Sequence, residues 1–457
     1  MPETPSFNPD SRDRMSHDKS PLLAAADRLA RAVAELEPDE EYAPTPPQAL
    51  IVGGFVRDLH LGLKPKDADI EVSGVSAERL EELLRSLFGT VDDIGKSFGV
   101  FKVKIGDRLE LDVSLPRLDS KSGAGHKGIQ ANVDPSLGIK DAARRRDFTM
   151  NAMTMDPITG VIYDPYGGTE DLDQKILRAP DLGKFEEDPL RVMRAVQFAA
   201  RMGFSVDPKL EDLMRKIVAD GILSELPPER ITDEMEKLLM KALRPSVGLA
   251  LAESIGVFEK TFPELGLGVD RERIFGAADA AAGIIRDAKF GLSETERREV
   301  MLAALVAGLS RNEAHSLFGR LTFYQQDIKS VLAVAENYRE AGGLRKARES
   351  GDKRAYVNEV RKRLKKLGNA SWHLAFAMSE IDDPGHSDLF AQTVIENRFD
   401  AEGAKPLLDG QDLQTNFGLK PGKQLGETMA LVEFERDAGT IVTKDDAIAY
   451  VRSMMKP

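Results

Sequence analysis

Cysteine is absent from this chain of 457 residues. Its absence excludes disulfide bonds and thiolate metal sites, and it is compatible with a reducing compartment such as the cytoplasm. Long apolar runs are also lacking, so no segment is long enough to span a membrane as a helix. The polar N-terminal residues do not form a signal peptide. We therefore expect a cytoplasmic protein with no membrane contact.

Aromatic residues and positive charge are both scarce. Aromatics make up 6% of the chain, and 76 acidic residues outnumber 63 basic ones, for a formal net charge of −13. This balance argues weakly against nucleic-acid binding, although a local basic patch would suffice for it. The length predicts several domains, and helix-forming residues dominate after about residue 180. The fold class predicted from this order is α+β.

The first domain begins with a strand, a glycine turn and a helix. Residues 49–52 are apolar, Gly53 and Gly54 interrupt them, and residues 55–61 are compatible with a helix. Acidic and apolar residues then alternate over 67–72, which indicates a strand with its acids on one face. Further strands are predicted at 100–105 and 109–115. Residues 118–139 are rich in Gly, Ser, Lys and Asp and predict a long loop.

Three carboxylates could form a metal site. Asp67 and Asp69 alternate on one strand, and Asp112 lies on a later strand. Carboxylate oxygens suit Mg²⁺, whose other ligands are usually water and substrate phosphates. Two such ions can activate a hydroxyl and neutralise a leaving pyrophosphate. The alternative is a solvated strand face, which is common in an acidic protein.

Two further patterns could bind phosphate. The Gly53-Gly54 turn precedes a helix that carries Arg57, and backbone N–H groups at such a turn can hold an anion. An arginine run at 144–146, followed by Asp147, could bind phosphate and a ribose hydroxyl. An ordinary strand–helix turn and a charged helix end are the alternatives.

Asp188 and Arg191 present an acceptor and a donor three residues apart. Such a pair could recognise the Watson–Crick edge of a base. The alternative is a capped helix, with Asp188 as N-cap, Pro189 in the first turn and an ion pair to Arg191. A basic segment at 345–366 is either a phosphate-contact surface or a solvated helix face.

Five ordered motifs over residues 47–265 carry a family resemblance. They are Leu-Ile-Val-Gly-Gly-Phe-Val-Arg-Asp (50–58), Lys-Asp-Ala-Asp-Ile-Glu (66–71), Arg-Arg-Asp-Phe-Thr-Met-Asn-Ala-Met (145–153), Tyr-Asp-Pro-Tyr-Gly-Gly-Thr-Glu-Asp-Leu (163–172) and Glu-Asp-Pro-Leu-Arg-Val-Met-Arg-Ala (187–195). In this order they closely resemble the bacterial class II tRNA nucleotidyltransferase/poly(A) polymerase family. The resemblance implies a polymerase-β-like head with a mixed sheet, followed by an all-helical neck, body and tail.

The resemblance also implies roles for particular residues. Asp67 and Asp69 would hold Mg²⁺, with Asp112 as the third catalytic carboxylate. The nucleotide-binding residues would be Gly53, Gly54, Arg57, Arg117, Arg146, Asp147, Glu187, Asp188, Arg191 and Arg194. Among these, Glu187, Asp188 and Arg191 would select CTP or ATP in place of a nucleic-acid template.

The expected activity is template-independent addition of CCA to the 3′ end of tRNA from CTP and ATP. CC-adding, A-adding and poly(A)-polymerase activities share these motifs and stay open, as does a catalytically silent RNA-binding protein. The predicted domains are a flexible N-terminal extension (1–46), the catalytic head (47–180), the neck (181–246), the body (247–380) and a tRNA-binding tail (381–457). The sequence does not indicate an oligomeric state.

Overall fold

The computed structural model forms two compact units, Met1–Leu238 with Ala250–Thr261, and Leu239–Leu249 with Phe262–Pro457. The boundaries predicted at 180, 246 and 380 are not tested by this division and stay predictions. The residues that the structure describes are 20–42, 44–89, 91–95, 99–106, 109–121, 129–266, 270–287, 292–322, 325–339, 348–352, 355–357, 360, 406–437, 440–441 and 443–455. Most of the basic segment at 345–366 lies outside them.

The first described element is helix α1, Pro21–Ala34. Ser20 caps it by accepting a hydrogen bond from the Leu23 N–H at 3.2 Å, and Pro21 fits the first turn, where no N–H is needed. Its apolar face packs on strand β1, Gln48–Val52, and Leu29 and Val33 are completely buried. An amphipathic helix that covers the sheet thus lies inside the segment 1–46 that was predicted to be an extension.

A seven-stranded mixed sheet is the centre of the first unit. Its order is β3-β4-β5-β2-β1-β8-β9, in which β2 and β5 are parallel and the other pairs are antiparallel. The strands are β2 Ala68–Ser73, β3 Val91–Gly95, β4 Val100–Ile105, β5 Leu109–Ser114, β8 Thr154–Met155 and β9 Ile162–Tyr163. Alternate residues such as Ile70, Val103 and Leu111 are fully buried, as the period-two patterns predict.

The remaining elements of the first unit surround this sheet. Its helices are α2 Gly54–His60, α3 Ala77–Phe88, α4 Ile139–Arg144, α5 Gly168–Gln174, α6 Leu182–Glu187, α7 Leu190–Met202, α8 Pro208–Ala219 and, reaching its end, α9 Pro228–Lys241. A hairpin of β6, Arg117–Lys121, and β7, Ile129–Val133, occupies much of the segment that was predicted to be a loop. A short parallel pair, β10 Ile176–Leu177 with β11 Ser205–Val206, places a strand in the segment predicted to be all helical.

The described part of the second unit is helical. Helix α10, Pro245–Ser254, contributes residues to both units, and α11, Val257–Lys260, belongs to the first. The later helices belong to the second unit and are α12 Arg271–Arg286, α13 Glu294–Leu305, α14 Arg311–Arg320, α15 Gln325–Arg339, α16 Gly410–Phe417, α17 Lys423–Asp437 and α18 Lys444–Met454. Capping boxes start several of them, as at Ser293 with Glu296. Among the described residues, no helix combines the length and hydropathy that crossing a membrane requires.

Helix α1 should contribute measurably to the stability of the first unit. We expect Leu29→Ala to lower the free energy of unfolding by about 3 kcal/mol, because the fully buried side chain leaves a cavity. The control Arg31→Ala removes an exposed ion pair to Asp27 on the same helix and should cost about 0.5 kcal/mol or less. Urea denaturation measures both, and equal effects would show that α1 is not part of the core.

Candidate active site

The carboxylates predicted to converge do so through strand register. Because β2 and β5 are parallel neighbours, Asp69 and Asp112 are direct Cα partners across them. Both side chains leave the same face of the sheet, since direct partners share a face. Asp67 immediately precedes β2 and is exposed. The predicted meeting of carboxylates from two strands is therefore confirmed for Asp69 and Asp112.

The carboxylates of this cluster repel one another, and this repulsion affects the pKa of Asp69. Desolvation by the surrounding atoms raises the pKa of Asp69, although part of the residue faces solvent. The Arg146 guanidinium opposes this shift, whereas the carboxylates of Asp112 and Asp67 add to it. Lys102 lies opposite Asp112 on β4, and its Nζ is 3.3 Å from Asp112 Oδ1. The ammonium group of Lys102 thus already lies beside the carboxylates at this end of the strands.

The donors present fit a divalent cation in part. Asp112 Oδ1 is buried and accepts no hydrogen bond of good geometry, and carboxylate oxygens are the ligands that hard cations prefer. Among the residues described, however, no group of three or more acidic or histidine side chains forms a complete metal site. The protein therefore supplies only part of a coordination shell, and water and phosphate oxygens would complete it.

The glycine bend lies directly beside Asp69. Gly53 has a φ of 74°, and a Cβ on it would lie 3.8 Å from Asp69 Oδ2 and 3.5 Å from Arg146 Nη1. A side chain here would be strained and would crowd the site. The Gly53 N–H donates to the Met153 carbonyl at 3.3 Å, so this amide is engaged within the protein. Gly54 begins α2 next to the Arg57 guanidinium.

Arg57 is anchored more firmly than its motif suggests. Its Nη1 donates to Asn151 Oδ1 at 2.7 Å, and its Nε donates to Asp58 Oδ1 at 2.8 Å. Its guanidinium carbon lies 5.3 Å from the centre of the Phe198 ring. These contacts fix the cation in the wall of the site, close to the glycine bend. Its predicted contact with a triphosphate stays a prediction.

Arg145 and Arg146 face the acidic strand. Arg145 Nη2 lies 3.3 Å from Glu71 Oε2, and Arg146 Nη2 lies 3.8 Å from the same oxygen. Glu71 is the third acid of the alternating β2 pattern, so it holds the two arginines next to Asp69. The predicted nucleotide residue Arg146 thus lies between the glycine bend and the carboxylates.

Asp147 was predicted to contact a ribose, but it is buried, with 7% exposure. It accepts hydrogen bonds from Asn151 Nδ2 at 2.9 Å and Arg194 Nε at 2.7 Å. Burial alone would raise its pKa, yet the charge of Arg194 and these hydrogen bonds hold the pKa below its usual range. In this structure Asp147 positions Arg194, because its oxygens are taken up by protein partners.

The residues that were predicted to recognise a base have partners within the protein that the sequence did not predict. Asp188 Oδ1 accepts from the Leu190 N–H at 3.2 Å, and Asp188 Oδ2 lies 3.6 Å from Arg230 Nη2. Arg191 Nη1 donates to the Lys184 carbonyl at 2.6 Å, and Nη2 donates to the Arg145 carbonyl. Helix α7 begins at Leu190, and Pro189 before it already has helical dihedrals. Asp188 is extended and accepts from the Leu190 N–H, so it acts as the predicted cap with Pro189 in the first turn, whereas its carboxylate lies near Arg230.

The last two predicted residues are Glu187 and Arg117. Glu187 ends α6 and accepts from Lys184 Nζ at 2.8 Å, with 30% of its side chain exposed. Arg117 begins β6, is partly buried and has Val133 as its cross-strand partner. The roles of both in nucleotide binding stay predictions.

Several residues near the site were not predicted from the sequence, because the patterns that would indicate them are weak or involve residues far apart in the chain. They are Lys102, Asn151, Phe198, Arg201 and Arg230. Strand register could have indicated Lys102, because it is the cross-strand partner of Asp112. Helical spacing could have indicated Phe198 and Arg201, which share a face of α7 with Arg194.

Two family models match the chain. Residues 49–178 match the poly A polymerase head domain, and residues 203–267 match the probable RNA and SrmB-binding site of polymerase A. The first match covers the sheet, the glycine bend and the carboxylates. Fold and site thus define a nucleotidyltransferase head.

Curated relatives share the name Multifunctional CCA protein. The relative from Xanthomonas campestris pv. campestris (strain B100) is 34% identical over 292 residues, which are 63% of this chain and 65% of the relative. The relative from Vibrio campbellii is 39% identical over 221 residues, covering 48% and 52% of the two chains. The chain thus spans between about half and two thirds of the length of these relatives.

Solved structures share the whole fold at low identity. The Thermotoga maritima CCA-adding enzyme complexed with tRNA has a TM-score of 0.71 and 20% identity, with 98% of each chain covered. The Bacillus stearothermophilus CCA-adding enzyme in complex with CTP has a TM-score of 0.61 and 21% identity, with 95% of this chain and 98% of that chain covered. Residues 49–178 are thus similar to a poly A polymerase head domain, and 63% of the chain is similar to a protein named Multifunctional CCA protein. A nucleotidyltransferase head implies the use of a divalent cation.

The buried pair of Asp147 and Arg194 should govern the acid stability of the head. We expect Asp147→Asn to lower the free energy of unfolding at pH 7 by about 3 kcal/mol, because it leaves Arg194 without its charge partner. The pKa of Asp147 is lower in the folded protein than in the unfolded chain, where it is about 3.9. The ionised carboxylate therefore stabilises the fold at pH values above about 3.9, and this stabilisation is lost as the pH falls through the pKa of the folded state.

The difference in the free energy of unfolding between wild type and Asp147→Asn should therefore become smaller when unfolding curves are recorded from pH 7 down to pH 3. Asp212→Asn serves as the control, since that side chain is 78% exposed and its pair with Arg215 should contribute about 1 kcal/mol or less. If this difference in the free energy of unfolding is the same at every pH, the ionisation of Asp147 does not contribute to stability.

Proposed function

We propose that the protein adds CCA to the 3′ end of tRNA without a nucleic-acid template, using CTP and then ATP and releasing pyrophosphate. The observation that carries this proposal is the convergence of Asp69 and Asp112 across parallel strands beside the Gly53 bend. The names of the relatives and the titles of the structural neighbours with tRNA, ATP and CTP support the choice of substrates. We propose a cytoplasmic location for this reaction, with which the lack of cysteine is compatible.

In each addition, the RNA 3′-hydroxyl oxygen forms a bond to the α-phosphorus of the nucleotide. The bond from the α-phosphorus to the bridging oxygen breaks, pyrophosphate leaves with that electron pair, and the hydroxyl proton passes to solvent. When bound at Asp67 and Asp69, a divalent cation, which we propose is Mg²⁺, would favour deprotonation and offset the charge on pyrophosphate.

The residues of this chain would hold the reactants in place. Arg57 and Arg146 lie beside the glycine bend and would offset the triphosphate charge. Asp188 would accept a hydrogen bond from the exocyclic amine of cytosine or adenine, which both bases carry. Arg191, fixed by the carbonyls of Arg145 and Lys184, would orient that edge of the site.

A tRNA that lacks its last three nucleotides tests the activity. With CTP alone we expect the addition of two C residues, and with CTP and ATP together the complete CCA end, as read by sequencing the products. ATP alone should add nothing to this substrate. Long adenosine tails without CTP would identify a poly(A) polymerase instead, and no product with any nucleotide would defeat the proposed activity.

Removal of one carboxylate tests the proposed metal site. We expect Asp69→Ala to reduce nucleotide addition by about three orders of magnitude, since cation stabilisation of the transition state is worth several kcal/mol. Binding of the truncated tRNA, measured by filter retention, should change little. The control Asp212→Ala removes an exposed carboxylate on α8 and should keep full activity. Full activity in Asp69→Ala would contradict the metal assignment.

A further inference from the structure

One face of helix α7 carries a row of arginines around an aromatic ring. Residues 191, 194, 198 and 201 lie on this face because they follow the helical repeat. The Phe198 ring has three guanidinium carbons close to its centre: Arg57 at 5.3 Å, Arg201 at 5.5 Å and Arg194 at 5.6 Å. The ring is held edge-on by Phe148, with 5.6 Å between centroids and an angle of 82°.

The charges of these three arginines are not equally compensated. Arg57 pairs with Asp58 at 2.7 Å, and Arg194 pairs with Asp147 at 2.5 Å. Arg201 Nη1 instead donates to the neutral amide oxygen of Gln197 at 3.1 Å. Within the described part of the chain, no carboxylate lies within ion-pair distance of Arg201.

The surroundings of Arg201 disfavour its positive charge. Burial lowers the pKa of Arg201, and the charge of the nearby Arg57 lowers it further. The carboxylates of Asp58 and Glu234 oppose this shift, and Arg194 adds a smaller lowering effect. A partly desolvated cation beside two others is costly unless an anion completes the arrangement. The geometry therefore describes an anion site with its cations already assembled on a rigid platform.

Resting on the proposed function, we propose that Arg201 is a further nucleotide-binding residue that contacts a phosphate oxygen of the incoming triphosphate, with Phe198 as its platform. The helix rise places Arg201 about 15 Å along α7 from Arg191. The base would thus be read at the start of this face, and the phosphates would follow it toward Arg57 and Arg201. Guanidinium groups suit this role because they bind phosphate oxygens through paired donors.

Direct binding measurements with CTP and cytidine test the proposal. We expect Arg201→Met to weaken CTP binding about tenfold, as measured by calorimetry with Mg²⁺ present, and to leave cytidine binding unchanged because cytidine has no phosphate. In the addition assay the KM for CTP should rise by a similar factor, with little change in kcat. Arg201→Lys should fall between wild type and Arg201→Met, since it keeps the charge and loses the paired donors.

The matched control is Arg215→Met, which removes an arginine of the same unit that already pairs with Glu211 and Asp212. CTP affinity should be unchanged in it. The proposal is overturned if Arg201→Met binds CTP like wild type, if it loses CTP and cytidine affinity equally, or if only tRNA binding weakens. A wild-type protein that binds CTP but adds no nucleotide would defeat the proposed function and leave this inference standing.

Discussion

The parallel pairing of strands β2 and β5 is the constraint on which the site depends. This pairing makes Asp69 and Asp112 direct neighbours, and like charges so close repel each other unless cations approach. Lys102 meets Asp112 from β4, and the charge of Arg146, which lies beside the glycine bend, acts on Asp69. The hydrophobic alternation that folds the sheet therefore also creates a concentrated negative site. A divalent cation and the oxygens of a triphosphate would relieve that repulsion.

A second layer of charge holds the arginines in place. Three carboxylates each form ion pairs with one or two guanidinium groups, and they belong to Glu71, Asp58 and Asp147. These pairs restrict the motion of the arginines near the site. Arg191 is fixed in a different way, by two main-chain carbonyls. Rigid donors cost less entropy when a substrate arrives, and they need little reorganisation during the reaction. The acidic residues of this chain thus hold its arginines in position. For this reason a protein of net charge −13 can present a group of positive side chains next to its carboxylate cluster.

Sequence reasoning succeeded where the signal is local. The strand, glycine bend and helix around Gly53, and the alternation over β2 and β5, depend on neighbouring residues and were predictable. The β6–β7 hairpin was missed because its composition is that of a loop. Burial of Asp147 was missed because its partner Arg194 lies 47 residues away, and a sequence motif does not show which carboxylates are enclosed. The approach of Arg230 on α9 to Asp188 was missed for the same reason, because the two residues are 42 positions apart in the sequence.

Helix α7 shows why a helix suits the recognition of an elongated substrate. Its residues advance by about 1.5 Å each, so side chains on one face are separated by fixed distances that a loop could not maintain. The Phe198 ring, packed edge-on against Phe148, lies close to three guanidinium groups, of which those of Arg57 and Arg194 also pair with Asp58 and Asp147. Carboxylates, carbonyls and this ring together hold the arginines, so the spacing along α7 determines which part of a nucleotide each of them would reach.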